Sequence, residues 1–302
     1  MIDVGLALPT MATGWTRRTW IDWCRTIDDG PFSSVSCGER ITFHNVEMLT
    51  TLAGAAALTE RARVFVNLAI APWHATTLLA KQLATLDVLC DGRLDVGLGV
   101  GGREQDYASL GASMARRHAR LDQQVGEIRR LWAGEPAVDG APPLGPPVVQ
   151  PNGPRLLAGA MGPKATARAA LWAEGVSGFS MSLDPREIGK AVDLAKLAWT
   201  EAGRDQPPRI VIACFYALGA DAPAVLRGFT NEYLAVFGPE VADAMAATAT
   251  LSSVGALTDA LEAVRNLGTV DEVVLVPATV DLACAELAAG VVAGVMAEHT
   301  GA

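Results

Sequence analysis

The amino-acid sequence predicts a (β/α)8 TIM barrel, an α/β fold in which eight parallel strands alternate with helices. Short apolar segments alternate with segments of helical periodicity along the chain, an order typical of parallel strands joined by helical crossovers. The apolar segments are nearly continuous, as expected for strands that helices cover. Eight such units in 302 residues average about 38 residues each, which favours a closed barrel over the alternative, an open doubly wound sheet.

Each predicted strand is followed by a helical interval. The strands are predicted at 2–8, 33–37, 63–71, 94–100, 155–160, 176–180, 209–218 and 272–277. The helices are predicted near 16–28, 46–60, 74–90, 115–133, 163–173, 184–202, 222–237 with 252–267, and 281–298. In the helix after strand 4, Leu121, Val125 and Ile128 fall on one apolar face. The sequence has no internal repeat and no low-complexity tail, so residues 1–302 are expected to form a single domain.

Two segments interrupt the regular spacing. Residues 133–154 are rich in proline and glycine, which excludes a helix and predicts a loop or loose hairpin on the face below strand 5. Residues 230–253 form an insertion between strands 7 and 8, with a helical pattern of their own at 239–248. Because the insertion follows a strand, we expect it to contribute to a lid over the catalytic face.

Composition excludes several classes of function. The formal charge is −9, from 24 basic and 33 acidic residues without a basic stripe, so neither nucleic acid nor an anionic membrane is an expected partner. The five cysteines are scattered, without metal-ligand spacing, which indicates a reducing cytoplasm and no metal site. No apolar run reaches the ~18 residues of a membrane span. Serine-hydrolase and Walker motifs are absent.

The loops after the strands carry the candidate catalytic side chains, because they meet on one face of a parallel barrel. Glu39 and Arg40 follow strand 2 and can serve acid/base and substrate-orienting roles, or form a salt-bridged pair on the rim. His74 follows strand 3 beside Trp73, where it can meet a flat ligand, or cap the next helix or pack against it. The other polar residues of these loops are His44, Arg103, Glu104, Asp106, Tyr107 and Lys164.

Two glycine-containing segments are candidate ligand sites. Residues 97–102 match the G-x-G-x-x-G dinucleotide pattern, but the next helical pattern begins only near Ala115, so we interpret these glycines as clearing the mouth for a flat ligand. After strand 5, Gly159, Ala160, Met161 and Gly162 precede Pro163 and Lys164. A helix that starts there offers free N–H groups and Lys164 to a phosphate, or is an ordinary helix start.

Three segments resemble the bacterial luciferase-like superfamily of flavin-dependent oxidoreductases. The first is AKQLATLDVLCDGRL at 80–94, which is similar to the family helix that runs into strand 4. The second is VGLGVGGREQDY at 96–107, with the later Arg117-x-x-Arg120-Leu121-Asp122 pattern. The third is GAMGPKA at 159–165 with Trp172-Ala173-Glu174-Gly175. Their order and spacing match across residues 1 to about 280, a match specific to the superfamily but not to one member.

The resemblance implies a non-covalent reduced FMN, or the deazaflavin coenzyme F420, with its phosphate near the strand-5 loop and its ring over strands 3 and 4. The cofactor-binding residues would then be Asn67, Leu68, Gly99, Val100, Arg103, Tyr107, Gly159, Ala160, Met161, Gly162 and Lys164, and the catalytic residues Glu39, His74 and Arg40. It also places a non-proline cis peptide at Asn67–Leu68. The chain departs from the family after strand 2, where members carry Asp-His or His-His, so the acid/base role passes to Glu39 or is absent. It also has His74-Ala75 where members often read His-Pro.

The function expected from the resemblance is a monooxygenase that receives reduced FMN from a separate reductase and oxidises a small organic substrate with oxygen. The first alternative is hydride transfer with the deazaflavin, also delivered by a separate reductase. The second is a barrel that binds flavin or a partner subunit without catalysis. Analogy with the family further suggests a homodimer.

Overall fold

The computed structural model describes residues 2–297 and contains a closed barrel of eight parallel strands. Each strand pairs with its sequence neighbours, and β1 pairs with β8 to close the barrel. The strands are β1 (Asp3–Ala7), β2 (Ser34–Cys37), β3 (Arg63–Ile70), β4 (Leu94–Gly99), β5 (Arg155–Ala158), β6 (Gly175–Phe179), β7 (Arg209–Tyr216) and β8 (Glu272–Pro277). The predicted TIM barrel is confirmed, and the open sheet is wrong.

The helices surround the barrel. They are α1 (Arg17–Asp29), α2 (Met48–Leu58), α3 (Thr76–Leu89), α4 (Glu104–Ser109), α5 (Arg117–Trp132), α6 (Pro163–Ala170), α7 (Pro185–Glu201), α8 (Ala222–Leu234), α9 (Pro239–Ala246), α10 (Val254–Leu267) and α11 (Leu282–Ala297). Short 3-10 turns occupy Ala71–Trp73 and Ala235–Phe237. Residue 298, the end of the last predicted helix, lies outside the described residues.

Local sequence explains where the helices begin. The side chain of Thr16 accepts a hydrogen bond from the backbone N–H of Thr19 and caps α1. Trp23, Cys24 and Ile27 then recur at helical spacing and are buried against the barrel. The sequence pattern missed α4, because six residues are too few for helical periodicity to show. The insertion after β7 contains the predicted helix as α9, and residues 133–154 form a loose hairpin with one bridge, between Pro136 and Pro143.

The amino end of the barrel is closed by buried charges. Glu272, at the start of β8, accepts hydrogen bonds from Ser33 Oγ at 2.9 Å, Ser34 Oγ at 2.5 Å and Arg209 Nη2 at 2.9 Å. Asp95 of β4 forms a second ion-paired group, with the arginines that begin β3 and β5. Above them the interior is apolar, and its buried side chains are Ala7, Phe65, Leu157, Val211, Ala213 and Val274. The open end is therefore the carboxyl end of the strands.

Residues 2–297 contain neither a candidate membrane span nor a candidate metal cluster. None of the helices there is long and apolar enough to cross a membrane. In the same part of the chain, no group of three or more His, Cys, Asp or Glu side chains is placed to hold a metal ion.

Candidate functional site

Glu39 and His74 meet at the mouth of the barrel. Glu39 Oε1 lies 2.9 Å from His74 Nε2, and Glu39 Oε2 accepts the backbone N–H of Ile70 at 2.7 Å. The Glu39 side chain is 3% exposed and that of His74 is 19% exposed. Helix α3 has Ala75 at its N-cap without a side-chain cap, so the alternative that His74 caps this helix is wrong. A buried carboxylate is thus joined to a solvent-accessible imidazole.

Arg40 turns away from Glu39 and toward Asp106 of α4. Its Nε lies 3.8 Å from Asp106 Oδ2, and its guanidinium carbon lies 4.2 Å from the centre of the Phe43 ring. The alternative of a Glu39–Arg40 rim pair is therefore wrong, because each residue has a different partner. Burial, followed by the nearby Arg103, lowers the pKa of Arg40.

Asp106 fixes the loop after β2. Its Oδ1 accepts the backbone N–H of Thr42 at 2.7 Å and the Thr42 hydroxyl at 2.5 Å. Burial acts to raise the pKa of Asp106, but the Thr42 hydrogen bonds and the charges of Arg40 and Arg103 outweigh it, so the pKa lies below its usual value. The sequence placed Asp106 at the mouth, whereas only the structure shows that it joins the loops after β2 and β4.

The Asp106→Asn variant is expected to lose about 1.5 kcal/mol of unfolding free energy at pH 7, because the amide retains the shape but not the charge that Thr42 and Arg40 stabilise. A carboxyl with a lowered folded pKa contributes stability above its unfolded pKa, and this contribution disappears as pH falls through the folded value. The difference in unfolding free energy between wild type and variant should therefore become smaller below about pH 4. Urea unfolding at pH 7 and pH 3.5 measures this difference, and a larger difference at low pH would contradict a lowered pKa of Asp106.

Strand β3 is irregular where the resemblance placed its special peptide. The Asn67–Leu68 bond is cis, as predicted, and the pairing of β3 with β4 shifts between Val66 and Ala69. Asn67 Oδ1 accepts the hydroxyl of Ser177 at 2.8 Å. The bulge therefore lies inside the mouth, in contact with β6.

The side chain of Leu68 fills the space left by three glycines. A Cβ atom at Gly97 would lie 2.6 Å from Leu68 Cδ2, one at Gly99 would lie 3.1 Å from Cδ1, and one at Gly159 would overlap Leu68. We interpreted the glycines of residues 97–102 as clearing the mouth for a flat ligand. In the structure Gly97 and Gly99 make room for Leu68, whose half-buried side chain covers the ends of β4 and β5, so a flat ligand there would meet Leu68 rather than the bare glycine backbone.

Tyr107 holds the loop after β4. Its hydroxyl donates to the backbone oxygen of Val100 at 2.5 Å, and its ring packs edge-on against Trp73 with 5.4 Å between centroids. Burial raises the pKa of Tyr107. The Nε1 of Trp73 is buried without an acceptor within residues 2–297. Gln124 Nε2 donates to the backbone oxygen of His74 at 3.1 Å, which anchors the neighbouring loop.

The end of β5 has the predicted helix start. Gly162 has φ +80° at the N-cap of α6, and Pro163 takes the first helical position. Met161 and Lys164 are exposed. Gly159 and Ala160 line a cavity of about 30 Å³ together with His118, Leu121, Asp122, Arg168 and Trp172. His118 and Arg168 were not predicted as site residues, because their helices bring them to this cavity only in the folded barrel.

Helix α8 lies against the mouth. Arg103 Nη2 donates to the backbone oxygen of Tyr233 at 3.2 Å, and its guanidinium carbon lies 4.8 Å from the Tyr233 ring centre. His44 Nδ1 lies 3.4 Å from the carboxylate of Glu232. The rings of Phe43 and Tyr233 are 6.2 Å apart. Part of the insertion after β7 therefore contacts the loops after β2 and β4, and Tyr233 is a mouth residue that the sequence analysis did not identify.

Sequence relatives were found over part of the chain. An uncharacterised protein of Mycobacterium tuberculosis, Rv0953c, is 34% identical over 169 residues, which are 53% of this chain and 58% of that protein. Pyrimidine monooxygenase RutA of Methylobacterium radiotolerans is 33% identical over 97 residues, or 30% of this chain and 24% of that enzyme. The chain spans less than two thirds of the length of both relatives.

Solved structures match nearly the whole chain. Monooxygenase RslO1 from Streptomyces bottropensis is 22% identical with a TM-score of 0.77, covering 99% of this chain and 100% of that one. An F420-dependent secondary alcohol dehydrogenase with an F420–acetone adduct is 15% identical with a TM-score of 0.77, covering 97% and 99%. At these identities they show the shared barrel fold. The family model for luciferase-like monooxygenases matches residues 6–280, and the chain therefore belongs to the luciferase-like monooxygenase family.

Proposed function

We propose that the protein is a single-domain flavin-dependent monooxygenase that uses reduced FMN from a separate reductase, with oxygen, on a small organic substrate. The observation that carries the proposal is the Glu39–His74 pair at the mouth of a luciferase-like barrel. After strand 2 the chain lacks the Asp-His or His-His pair of the family. The Glu39–His74 pair can supply an acid/base group in its place. Glu39, His74 and Arg40 remain the proposed catalytic residues.

The residues around the mouth fit a flavin phosphate. The start of α6 presents free backbone N–H groups beside Gly162, and the adjoining cavity is lined by His118 and by Arg168, which is ion-paired with Asp122 of the same lining. Lys164 is exposed in the same turn and can add a positive charge. Leu68, which is half-buried against Gly97, Gly99 and Gly159, offers an apolar side chain against which a ring would lie. The proposed cofactor-binding residues are Asn67, Leu68, Gly99, Val100, Tyr107, Gly159, Ala160, Met161, Gly162 and Lys164, together with Arg103.

When bound, the flavin supplies the oxygen activation that amino-acid side chains lack. The chain supplies a proton site. Glu39 Oε2 accepts the backbone N–H of Ile70, and Glu39 Oε1 lies 2.9 Å from His74 Nε2, which donates to it in the tautomer with the hydrogen on Nε2. In this tautomer the Nδ1 atom of His74 can accept a proton, and Glu39 stabilises the resulting cation. Helix α8 covers part of the mouth and helps to exclude water.

A deazaflavin-dependent hydride transfer is the second candidate. It is supported by the likeness to an F420-dependent alcohol dehydrogenase, which superposes with the same TM-score as the monooxygenase RslO1. The shared barrel fold therefore does not separate the two candidates.

An anaerobic titration separates the two candidates. We expect reduced FMN to bind with micromolar affinity, and oxygen admitted afterwards to produce a transient change in the absorbance of the bound flavin. Tight binding of the reduced deazaflavin alone, with no reaction on admitting oxygen, would replace the first proposal by the second. Binding of neither cofactor would contradict both.

The remaining proposals concern assembly and location. All five cysteines are buried and free, which is compatible with the proposed reducing cytoplasm. Light scattering of the purified protein tests the proposed homodimer, and a mass of one chain, 31.5 kDa, would reject it.

A further inference from the structure

Arg40 and Arg103 lie at the mouth with too little negative charge to match them. Within residues 2–297, Asp106 is the one carboxylate within ion-pair distance of Arg40, and Arg103 has none. Two guanidinium groups therefore face one acid. Their positive charge is not neutralised by the part of the chain that the structure describes.

Asp106 is itself already occupied. Its Oδ1 holds two hydrogen bonds from Thr42, and its Oδ2 lies 3.8 Å from Arg40 Nε, beyond hydrogen-bond length. The Nε atoms of Arg40 and Arg103 are both buried without an acceptor among the described residues. The Arg40 side chain is only 7% exposed. A buried charged donor without an acceptor is costly, and its presence indicates a partner that arrives from outside the chain.

Aromatic rings lie against the guanidinium groups of both arginines. The guanidinium carbon of Arg40 lies 4.2 Å from the Phe43 ring centre and 5.6 Å from that of Tyr233, while Arg103 lies 4.8 Å from Tyr233. These contacts hold the planar guanidinium groups in place. Arg103 Nη2 donates to the backbone oxygen of Tyr233, and the Nε edge of each arginine keeps a donor without an acceptor among the described residues. Such a donor edge matches two oxygens that share a negative charge.

We infer that the substrate carries an anionic oxygen group, a carboxylate or an ionised phenol or enol, that is bound by Arg40 and Arg103 beside Phe43 and Tyr233. The inference rests on the proposed function in that it takes the mouth as the substrate site. It assigns Arg103 to the substrate rather than to the cofactor, because Arg103 contacts Tyr233 of α8 and not the strand-5 loop. His74, within the same mouth, would then face the uncharged part of the substrate.

Two pairs of probes that differ in charge test the inference. The first pair is benzoate and benzamide, and the second is 4-nitrophenolate and 4-nitroanisole. Calorimetric titration of the full chain, with and without FMN, is expected to show at least one anion binding about tenfold more tightly than its neutral partner, equivalent to ~1.4 kcal/mol. Preference within the first pair identifies a carboxylate, and preference within the second identifies a phenol or enol.

Arginine variants locate the preference. Arg40→Gln and Arg103→Gln should each reduce the preference for the anion over its neutral partner to about twofold or less. Arg40→Lys should keep part of this preference. The matched control is Arg130→Gln, at an exposed arginine near the end of α5, which should retain it fully. Circular dichroism identifies a variant that fails to fold, in which case the other arginine decides.

The remaining outcomes overturn the inference. Equal affinity within both pairs, including no detectable binding of any probe, rejects it, as does a preference that survives both glutamine variants. Loss of FMN affinity in Arg103→Gln with an unchanged anion preference would return Arg103 to the cofactor and reject the paired site. A clear anion preference in a protein that binds neither FMN nor deazaflavin supports the inference and rejects the proposed function, so the two failures are distinguishable.

Discussion

The Glu39→Gln variant is expected to lose about 100-fold or more in kcat while it retains its affinity for reduced FMN, because a general acid/base group typically contributes that much to the rate. The glutamine oxygen can still accept the N–H of Ile70, so the bend after β3 is preserved. Its amide N–H groups, however, would face His74 Nε2 and require this nitrogen to accept. The hydrogen then moves to Nδ1, and the proton site is lost. Steady-state turnover and cofactor titration measure the two quantities separately.

The control for this variant is Glu60→Gln, at an exposed glutamate on the turn after α2, which should leave kcat unchanged. A normal kcat in Glu39→Gln would remove Glu39 from the mechanism and favour the barrel without acid/base catalysis. Equal loss of kcat and of FMN affinity would instead indicate that Glu39 shapes the cofactor site.

The Glu272→Gln variant is expected to lose about 3 kcal/mol of unfolding free energy, because it breaks a buried ion pair from one side. The Glu272 side chain is 2% exposed and accepts a hydrogen bond from Arg209. Although burial acts to lower the pKa of Arg209, Glu272 holds it above its usual value. Glutamine preserves an acceptor for Ser33 and Ser34 but removes the charge that Arg209 requires. Urea unfolding measures the loss.

The matched control for Glu272 uses the same arginine. Asp3 lies 3.7 Å from Arg209 Nη2 but is 52% exposed, so Asp3→Asn should cost no more than about 0.5 kcal/mol. If the two variants lose the same free energy, burial does not determine the strength of these pairs, and the interpretation of the amino end of the barrel is wrong.

The sequence predicted the order of the strands and helices because that order depends on local periodicity. A buried strand is a continuous apolar segment in the sequence, and a helix that covers it has apolar residues three and four positions apart. The start of α6 was also predictable, since Gly162 and Pro163 have conformational preferences that do not depend on distant residues. Helix α4 was missed because its six residues form less than two turns.

The site was predictable only as a set of loops. Closing the barrel brings the carboxyl ends of all eight strands to one rim, so the residue types after each strand identify candidates. The pairing among them depends on side-chain direction. Glu39 and Arg40 are adjacent in sequence, yet one contacts His74 and the other Asp106. Sequence spacing does not specify the direction of a side chain, so the sequence alone was also compatible with a salt bridge between Glu39 and Arg40.

The contact of Leu68 with the glycine motif was likewise not predictable from the sequence. The glycines at 97 and 99 look like a ligand-binding pattern in the sequence, but in the structure they face a leucine from the neighbouring strand. The contact arises from the bulge in β3 between Val66 and Ala69. Two strands must pair before such a contact exists, so neither segment predicts it alone.

The barrel, and the loops that carry the candidate chemistry, follow from apolar periodicity and strand order, which are local properties of the chain. The contacts between their side chains follow from the folded barrel alone: His74 with Glu39, Asp106 with Arg40, and the Tyr233 ring with both arginines of the mouth. These partners come from different β/α units. Their contacts depend on barrel closure, on the bulge in β3 and on the position of α8, which are distances in space that sequence spacing does not specify.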